Sequence, residues 1–232
     1  MKFHYDLHVH SVLSACADVL MTPNNILNMA SLKNIDILAV TDHNSLKQLP
    51  ILDEISASYN ILLVYGAEVE LHDGSHILCY FKSLQDAMQF DALLESHLSV
   101  SSEISNVERQ VLTDLYDEPQ ELIHYRLGGP TTLTMDDLLE ILENFDHLRV
   151  FAHLDRSKNS GIRFLGSVKM DGAELTKYAK EELQGRLNAI GLRILHNSDA
   201  HQIVDIAECG EDNVLEMESL SMEEFFRVMR HG

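Results

Sequence analysis

Histidines and carboxylates recur at the ends of predicted strands, and these residue types bind transition metals. The stretch FHYDLHVHS contains His8 and His10 two positions apart, with Phe3, Tyr5, Leu7 and Val9 alternating on the other face. Two imidazoles at this spacing on a strand point the same way and can bind one metal ion. One such pair also occurs on surfaces by coincidence, so the interpretation depends on the other segments.

The other candidate ligands occupy the same place in later strands. They are Asp42 and His43 in IDILAVTDH, Glu68 and Glu70 in NILLVYGAEVEL, and His153 in LRVFAHL. Asp199 is the last residue of LRILHNSD, and His201 follows two positions later. In a βα barrel the C-terminal ends of the strands form the rim where active sites are built, so these segments would converge on one cup. Imidazole and carboxylate ligands suit Zn, Mn or Fe, and the cup could hold two or three divalent ions.

The elements between these motifs alternate between strand and helix. Helices are predicted in TPNNILNMASLK, LPILDEISAS, TMDDLLEILENF, TKYAKEELQGRL and MEEFFRVMRH. Together with seven or eight strand candidates they predict an α/β fold, a small TIM-like βα barrel. We expect one domain over 1–232, with a helical insertion or elaborated crossover at about 84–129.

Composition limits the partners that we expect. The chain has 232 residues, is 45% hydrophobic and carries a formal net charge of -20, which disfavours a broad phosphate-binding surface. We therefore expect a small phosphorylated substrate, no extended nucleic acid and no membrane partner. The opening MKFHYDLH lacks an apolar run and the three cysteines are widely spaced, so a cytoplasmic location is expected. The oligomeric state is left open.

Six motifs together resemble the PHP (polymerase and histidinol phosphatase) family of metal-dependent phosphoesterases. They are DLHVHS, TDHN, GAEVE, HILCYF, FAHL and NSDAH, in family order from Asp6 to His201. The resemblance implies a distorted seven-stranded βα barrel with a metal cluster at its C-terminal rim. It also implies three groups of ligands: His8, His10, Glu68 and Asp199 for one metal; Glu68, His76 and His153 for a second; and His43, His201 and a loop residue for a third.

The loop residue is where this chain departs from the family pattern. Many relatives carry SDG there, whereas this chain reads SACAD, so Cys16 and Asp18 compete for the role. A carboxylate suits Mn or Mg and a thiolate suits Zn or Fe. We favour Asp18, because a free cysteine is more often a small buried residue.

The predicted reaction is phosphoester hydrolysis by a metal-bridging hydroxide in a di- or trinuclear site. Asp199 would orient the hydroxide, His201 or His43 would assist the leaving oxygen through the third metal, and Glu68 would bridge the metals. Arg156 and Arg163, in HLDRSKNSGIR, are candidates for binding phosphate. The expected substrates are small phosphomonoesters or nucleotide phosphates.

Two other functions fit part of the pattern. A binuclear amidohydrolase also opens with His-x-His on a barrel strand, but that family typically has a carboxylated Lys as the bridge, where Glu68 stands here. A non-catalytic metal-binding regulatory module is the second alternative. A decayed site would have lost ligands, and the nearly full set here favours activity.

Overall fold

The structure is a computed structural model, and it describes residues 1–98 and 109–231. Its strands are β1 (Lys2–Val9), β2 (Ile37–Val40), β3 (Leu62–Glu70), β4 (His76–Phe81), β5 (Val111–Thr113), β6 (Pro119–Leu122), β7 (His147–Phe151), β8 (Gly172–Glu174), β9 (Ile194–Leu195) and β10 (Val214–Glu216). Its helices are α1 (Pro23–Leu32), α2 (Leu49–Ser56), α3 (Leu84–Glu95), α4 (Met135–Leu142), α5 (Glu181–Ala189) and α6 (Met222–His231).

The main sheet curls so that the segment after β9 lies beside β1. Its order is β10-β1-β2-β3-β4-β7-β8-β9. The segment after β9 returns to β1, where His10 N donates to Ala200 O at 3.0 Å and Ala200 N donates to His8 O at 3.3 Å. This confirms the predicted α/β class and a barrel-like architecture.

The family resemblance implies seven strands, whereas the count of strand candidates in the sequence gives seven or eight. In the described residues the main sheet has eight, because β10 pairs antiparallel with the first residues of β1, Lys2 to His4. The three-residue strand β10 precedes α6 and has no ligand motif that would mark it in the sequence.

Strand β4 runs antiparallel to both neighbours, β3 and β7. The first residue of β4, His76, is therefore opposite Glu70, the last residue of β3. A side chain at the start of a strand reaches the rim formed by the ends of its neighbours. Sequence periodicity does not reveal strand direction, so only the topology explains the position of His76.

The segment 84–129 is helical only in part. Helix α3 packs against the sheet, with ring centroids of Phe90 and Phe81 4.7 Å apart. Strands β5 and β6 then form a separate two-stranded antiparallel sheet. Residues 99–108 lie outside the described residues, and the boundaries of an insertion within a single domain stay a prediction.

Two apolar clusters lie on the two faces of the main sheet. One combines strand residues such as Tyr5, Leu7 and Tyr80 with Phe225 of α6, and the other packs the sheet against the remaining helices. Val9 belongs to the second cluster, although simple alternation predicts that it shares a face with Tyr5 and Leu7. The pairing of β1 with β2 is irregular between Asp6 and Val9, which interrupts the alternation just where the histidines begin.

Local signals place the helix starts. Pro23 occupies the first turn of α1, and Thr134 and Asp137 form a reciprocal capping box at the start of α4. Thr22, at the N-cap of α1, makes no capping hydrogen bond with its side chain and donates its hydroxyl to Asp117 of the β5–β6 turn at 2.7 Å. Within 1–98 and 109–231, no helix combines the length and apolar composition needed to cross a bilayer.

Candidate metal centre

The carboxylate of Glu68 is the centre of the cluster. Five imidazole nitrogens lie within 3.4 Å of its two oxygens: those of His8, His10, His43, His76 and His153. The nearest is His76 Nδ1, at 2.7 Å from Oε1. Both oxygens are shared between imidazoles, which is the arrangement that a metal-bridging carboxylate requires.

Asp199 completes the inner side of the cluster. Its Oδ1 lies 3.3 Å from His8 Nε2 and 3.2 Å from His10 Nε2. Its Oδ2 lies 2.7 Å from Arg156 Nη1. The group predicted for one metal, which comprises His8, His10, Glu68 and Asp199, is therefore brought together at one point.

The third predicted group forms beside this pair. The His10 ring centroid lies 4.3 Å from that of His201 and 4.5 Å from that of His43. Burial raises the pKa of the Cys16 thiol, but interactions with His201 and His43 outweigh it and lower the pKa to about 7. Cys16 and Asp18 are both exposed; Asp18 Oδ1 accepts a hydrogen bond from Leu20 N at 2.9 Å, and Asp18 N donates to His201 O at 2.8 Å. The structure thus brings Cys16, the residue that we did not favour, to the two histidines.

The predicted phosphate-binding arginines lie apart. Arg156 reaches Asp199, with 45% of its side chain exposed. Arg163 forms an ion pair with Asp73 and lies beside His72 and Phe164, around a separate small cavity. A role for Arg163 in binding phosphate stays a prediction.

Several residues that sequence reasoning passed over orient the histidines from behind. Glu174 Oε2 accepts from His8 Nδ1 at 2.8 Å and from Asn197 Nδ2 at 2.9 Å, and Glu174 Oε1 accepts from His153 N at 3.2 Å. Asn159 Nδ2 lies 2.9 Å from His76 Nε2. Glu174 ends β8, so the rule used for the other strand ends would have found it; Asn159 has no such signal.

Asp6, in β1, and Asp42, just after β2, contact the site through serine hydroxyl groups. Asp42 accepts from Ser14 Oγ at 2.6 Å, and Ser14 Oγ lies 3.2 Å from His10 Nδ1. This arrangement leaves His10 Nε2 directed at the cluster. Asp6 accepts from Ser198 Oγ at 2.6 Å and so holds the loop that carries Asp199.

The electrostatics of the cluster favour bound cations. Burial opposes ionisation of Glu68, but the surrounding imidazoles, led by His8, hold its pKa well below the usual range. Burial also opposes the charged forms of His8 and His76, yet nearby carboxylates raise both pKa values, that of His76 to about 9. His10 differs, since burial and the charge of His43 lower its pKa to about 3.

The donor set also fits metal ions geometrically. In three groups the ligand atoms lie within 4.8 Å of one another: His8, His10 and Glu68; His43, Glu68 and His76; and His10, His43 and His201. His153 and Asp199 have left-handed backbones, with φ of 29° and 51°. Such conformations cost about 1–3 kcal/mol each and concentrate at functional sites.

The family model of the PHP domain matches residues 6–183, which is more than half of the chain. The chain belongs to the PHP domain family. The predicted membership of the PHP family is confirmed by this match.

Solved structures share the fold of this PHP domain protein. The lesion-specific endonuclease PfuEndoQ from Pyrococcus furiosus has a TM-score of 0.72 and 21% identity, covering 99% of this chain and 56% of that one. Endonuclease Q in complex with a 27-mer duplex has a TM-score of 0.69 and 20% identity, covering 99% and 57%. An uncharacterized protein of Methanocaldococcus jannaschii is 29% identical over 80 residues, covering 31% of this chain and 47% of the relative. The chain spans about half the length of these proteins.

These structures overturn one expectation. We expected a small phosphorylated substrate to the exclusion of extended nucleic acid, because of the charge of -20. The endonuclease Q complex, on the same fold, contains a duplex with an abasic lesion at its active site. The error lay in applying a whole-chain charge to a local site, since bound cations and a few basic side chains set the potential that a phosphate meets.

Proposed function

We propose that this PHP domain protein hydrolyses phosphate ester bonds of nucleotides or nucleic-acid strands at the Glu68 cluster. The observation that carries the proposal is the carboxylate of Glu68 shared by five imidazoles, with Asp199 beside them. His8, His10, Glu68 and Asp199 would hold one divalent ion, and Glu68, His76 and His153 a second. His43, His201 and Cys16 offer a third position.

The chain's own residues have separate roles in this proposal. Bound metal ions would supply a nucleophilic water at neutral pH and neutralise the phosphate oxygens. The neighbouring imidazoles keep the pKa of Asp199 below its usual range, so its carboxylate is ionised and can orient the attacking water. Arg156 contacts Asp199 with one nitrogen, which leaves other guanidinium donors for a phosphate oxygen.

The first test measures metal content and turnover together. We expect two or three divalent ions per chain, with chelator-sensitive hydrolysis of an alkyl phosphate, a single-stranded oligonucleotide or a duplex with an abasic site. His8→Ala should remove at least one ion and lower kcat/KM by at least about 100-fold, since even residues that only orient ligands contribute 10- to 100-fold.

His124→Ala is the matched control, because His124 is an exposed histidine outside the cluster. It should keep both metal and activity. Bound metal without turnover on any ester would contradict the proposal and support the non-catalytic module. Hydrolysis of amides alone would support the amidohydrolase alternative.

A further inference from the structure

A groove of about 1220 Å³ opens from the metal centre. Asp199 and Arg156 line its inner end, and it continues between the loops that follow β7, β8 and β9. Pockets for small molecules usually measure about 300–1,000 Å³. The groove therefore has room for more of a substrate than the phosphate group that would be cleaved.

The two walls of the groove differ in charge. The loops after β7 and β8 contribute Arg156, Lys158 and Lys177 together with one carboxylate, Asp155, which accepts hydrogen bonds from Thr176. The loop after β9 contributes Asp205, Glu208 and Asp212. A phosphate chain would be attracted to the first wall and repelled by the second. The second wall instead suits neutral groups that donate hydrogen bonds, such as sugar hydroxyls and the amino groups of bases.

An aromatic ring is held at the edge of the basic wall. Tyr178 is 80% exposed, so a face of its ring is open to solvent. Hydrogen bonds fix the turn beneath it: Asp155 accepts from Thr176 N at 2.8 Å and from Thr176 Oγ1 at 2.6 Å. Tyr178 N donates to Thr176 Oγ1 at 3.2 Å, and Lys177 Nζ lies 5.2 Å from the ring centroid.

We propose that this groove is a nucleoside subsite, in which an unpaired base stacks on Tyr178 while Lys158 and Lys177 contact its phosphates. The proposal rests on the proposed function, because the subsite would present the adjoining phosphate to the metal centre. Stacking needs a free base face, so the ligand is a free nucleotide or an unpaired nucleotide within a strand. A paired duplex would not use this surface.

The experiment measures binding, so that it does not depend on turnover. The probe is a short fluorescein-labelled single-stranded oligodeoxynucleotide with phosphorothioate linkages, which slow hydrolysis, added to the metal-loaded protein. Tyr178→Ala should raise Kd by about 5- to 150-fold, the range for removing the stacking of one base. Tyr178→Trp should retain binding, and because the native chain contains no Trp its fluorescence should be quenched by the probe.

Tyr116→Ala is the matched control, since Tyr116 is 83% exposed but does not line the groove. It should bind the probe like the native protein. Replacing Lys158 and Lys177 with Gln should reduce the salt dependence of log K by about 0.7 for each phosphate that the protein no longer neutralises. Competition with thymidine monophosphate distinguishes a free nucleotide from a nucleotide within a strand. If thymidine monophosphate displaces the oligonucleotide with a Kd similar to that of the oligonucleotide, the ligand is a free nucleotide. If its Kd is much higher, the ligand is a strand.

Equal affinity of Tyr178→Ala and native protein, or no binding of either probe by native protein, would overturn the subsite. The proposed function is tested separately by metal-dependent hydrolysis of an alkyl phosphate, which has no base. Tyr178-dependent binding without any turnover would overturn the proposed function and leave the subsite standing. Turnover combined with binding that does not depend on Tyr178 would overturn the subsite and support the proposed function.

Discussion

At the scale of single residues, the cluster is defined by the direction of its donor atoms. Ser14 and Glu174 hold the outer nitrogens of His10 and His8, so both Nε2 atoms face Glu68 and Asp199. Cys16 and Asp18 show how much direction matters. They lie two positions apart in one loop. The Cys16 thiol interacts with the imidazoles of His43 and His201, whereas the Asp18 carboxylate accepts from Leu20 N and only the backbone N of Asp18 reaches His201 O.

The choice between these two loop residues leads to a direct prediction. Cys16→Ser should lower the metal content by up to one ion per chain, whereas Asp18→Ala should leave it unchanged. After loading with cobalt(II), the native protein should show a thiolate-to-cobalt absorption band that Cys16→Ser lacks. Retention of the band in Cys16→Ser, or loss of metal only in Asp18→Ala, would indicate that the Asp18 carboxylate is the ligand.

At the scale of elements, the short strand β8 connects the others at the rim. Its last residue, Glu174, receives hydrogen bonds from β1 through His8, from the end of β7 through His153 N, and from the loop after β9 through Asn197. All three partners are donors. Glu174 therefore couples three segments that are distant in sequence, and its negative charge raises the pKa of His8 against the effect of burial.

Glu174→Gln tests this coupling, because the amide keeps the shape but loses the charge and one acceptor. We expect metal affinity to fall by about 10- to 100-fold, the usual effect of changing a residue that orients a metal-binding histidine. The measurement is competition with a chelator of known affinity, with circular dichroism to verify folding. Glu216→Gln, an exposed strand residue in β10, is the control. Equal affinities in both variants would refute the coupling.

At the scale of the whole molecule, the cluster makes stability depend on pH and metal. In the metal-free protein His8, His43, His76 and His201 all have raised pKa values. A raised pKa means that the folded state retains protons that the unfolded chain has released. The stabilisation is fully present below the ordinary value near 6.5 and is lost as pH rises through the folded value, about 9 for His76.

We therefore expect the free energy of unfolding of metal-free protein to decrease between pH 6.5 and 9. Cys16, with its pKa lowered to about 7, acts in the opposite direction but is one group against four. Added Zn or Mn should raise the free energy of unfolding most at the upper end of this window, because the metal then competes with fewer protons. Denaturant titrations with and without metal provide the measurement. Stability that rises with pH in the metal-free protein would contradict the protonation pattern.

The sequence alone predicted most of the residues of the candidate site, because side-chain chemistry and periodicity are local properties. His8 and His10 at strand spacing, Glu68 at a strand end and the ordered PHP motifs required no tertiary information. The α/β class followed from the alternation of strands and helices. The family was predicted from the motifs and confirmed by the family match over residues 6–183.

Other features were decided only by the tertiary structure, because they depend on strand direction and on contacts between distant segments. The family resemblance implied His76 as a ligand, but only the antiparallel course of β4 explains how it reaches the rim. Glu174 lies at a strand end, a position visible in the sequence, but its sharing between His8, His153 and Asn197 depends on tertiary contacts. The loop conformation turns Cys16 rather than Asp18 toward His43 and His201. The groove beside Asp199, with its separate basic and acidic walls, shows that local charge cannot be inferred from a net charge, since composition contains no positions.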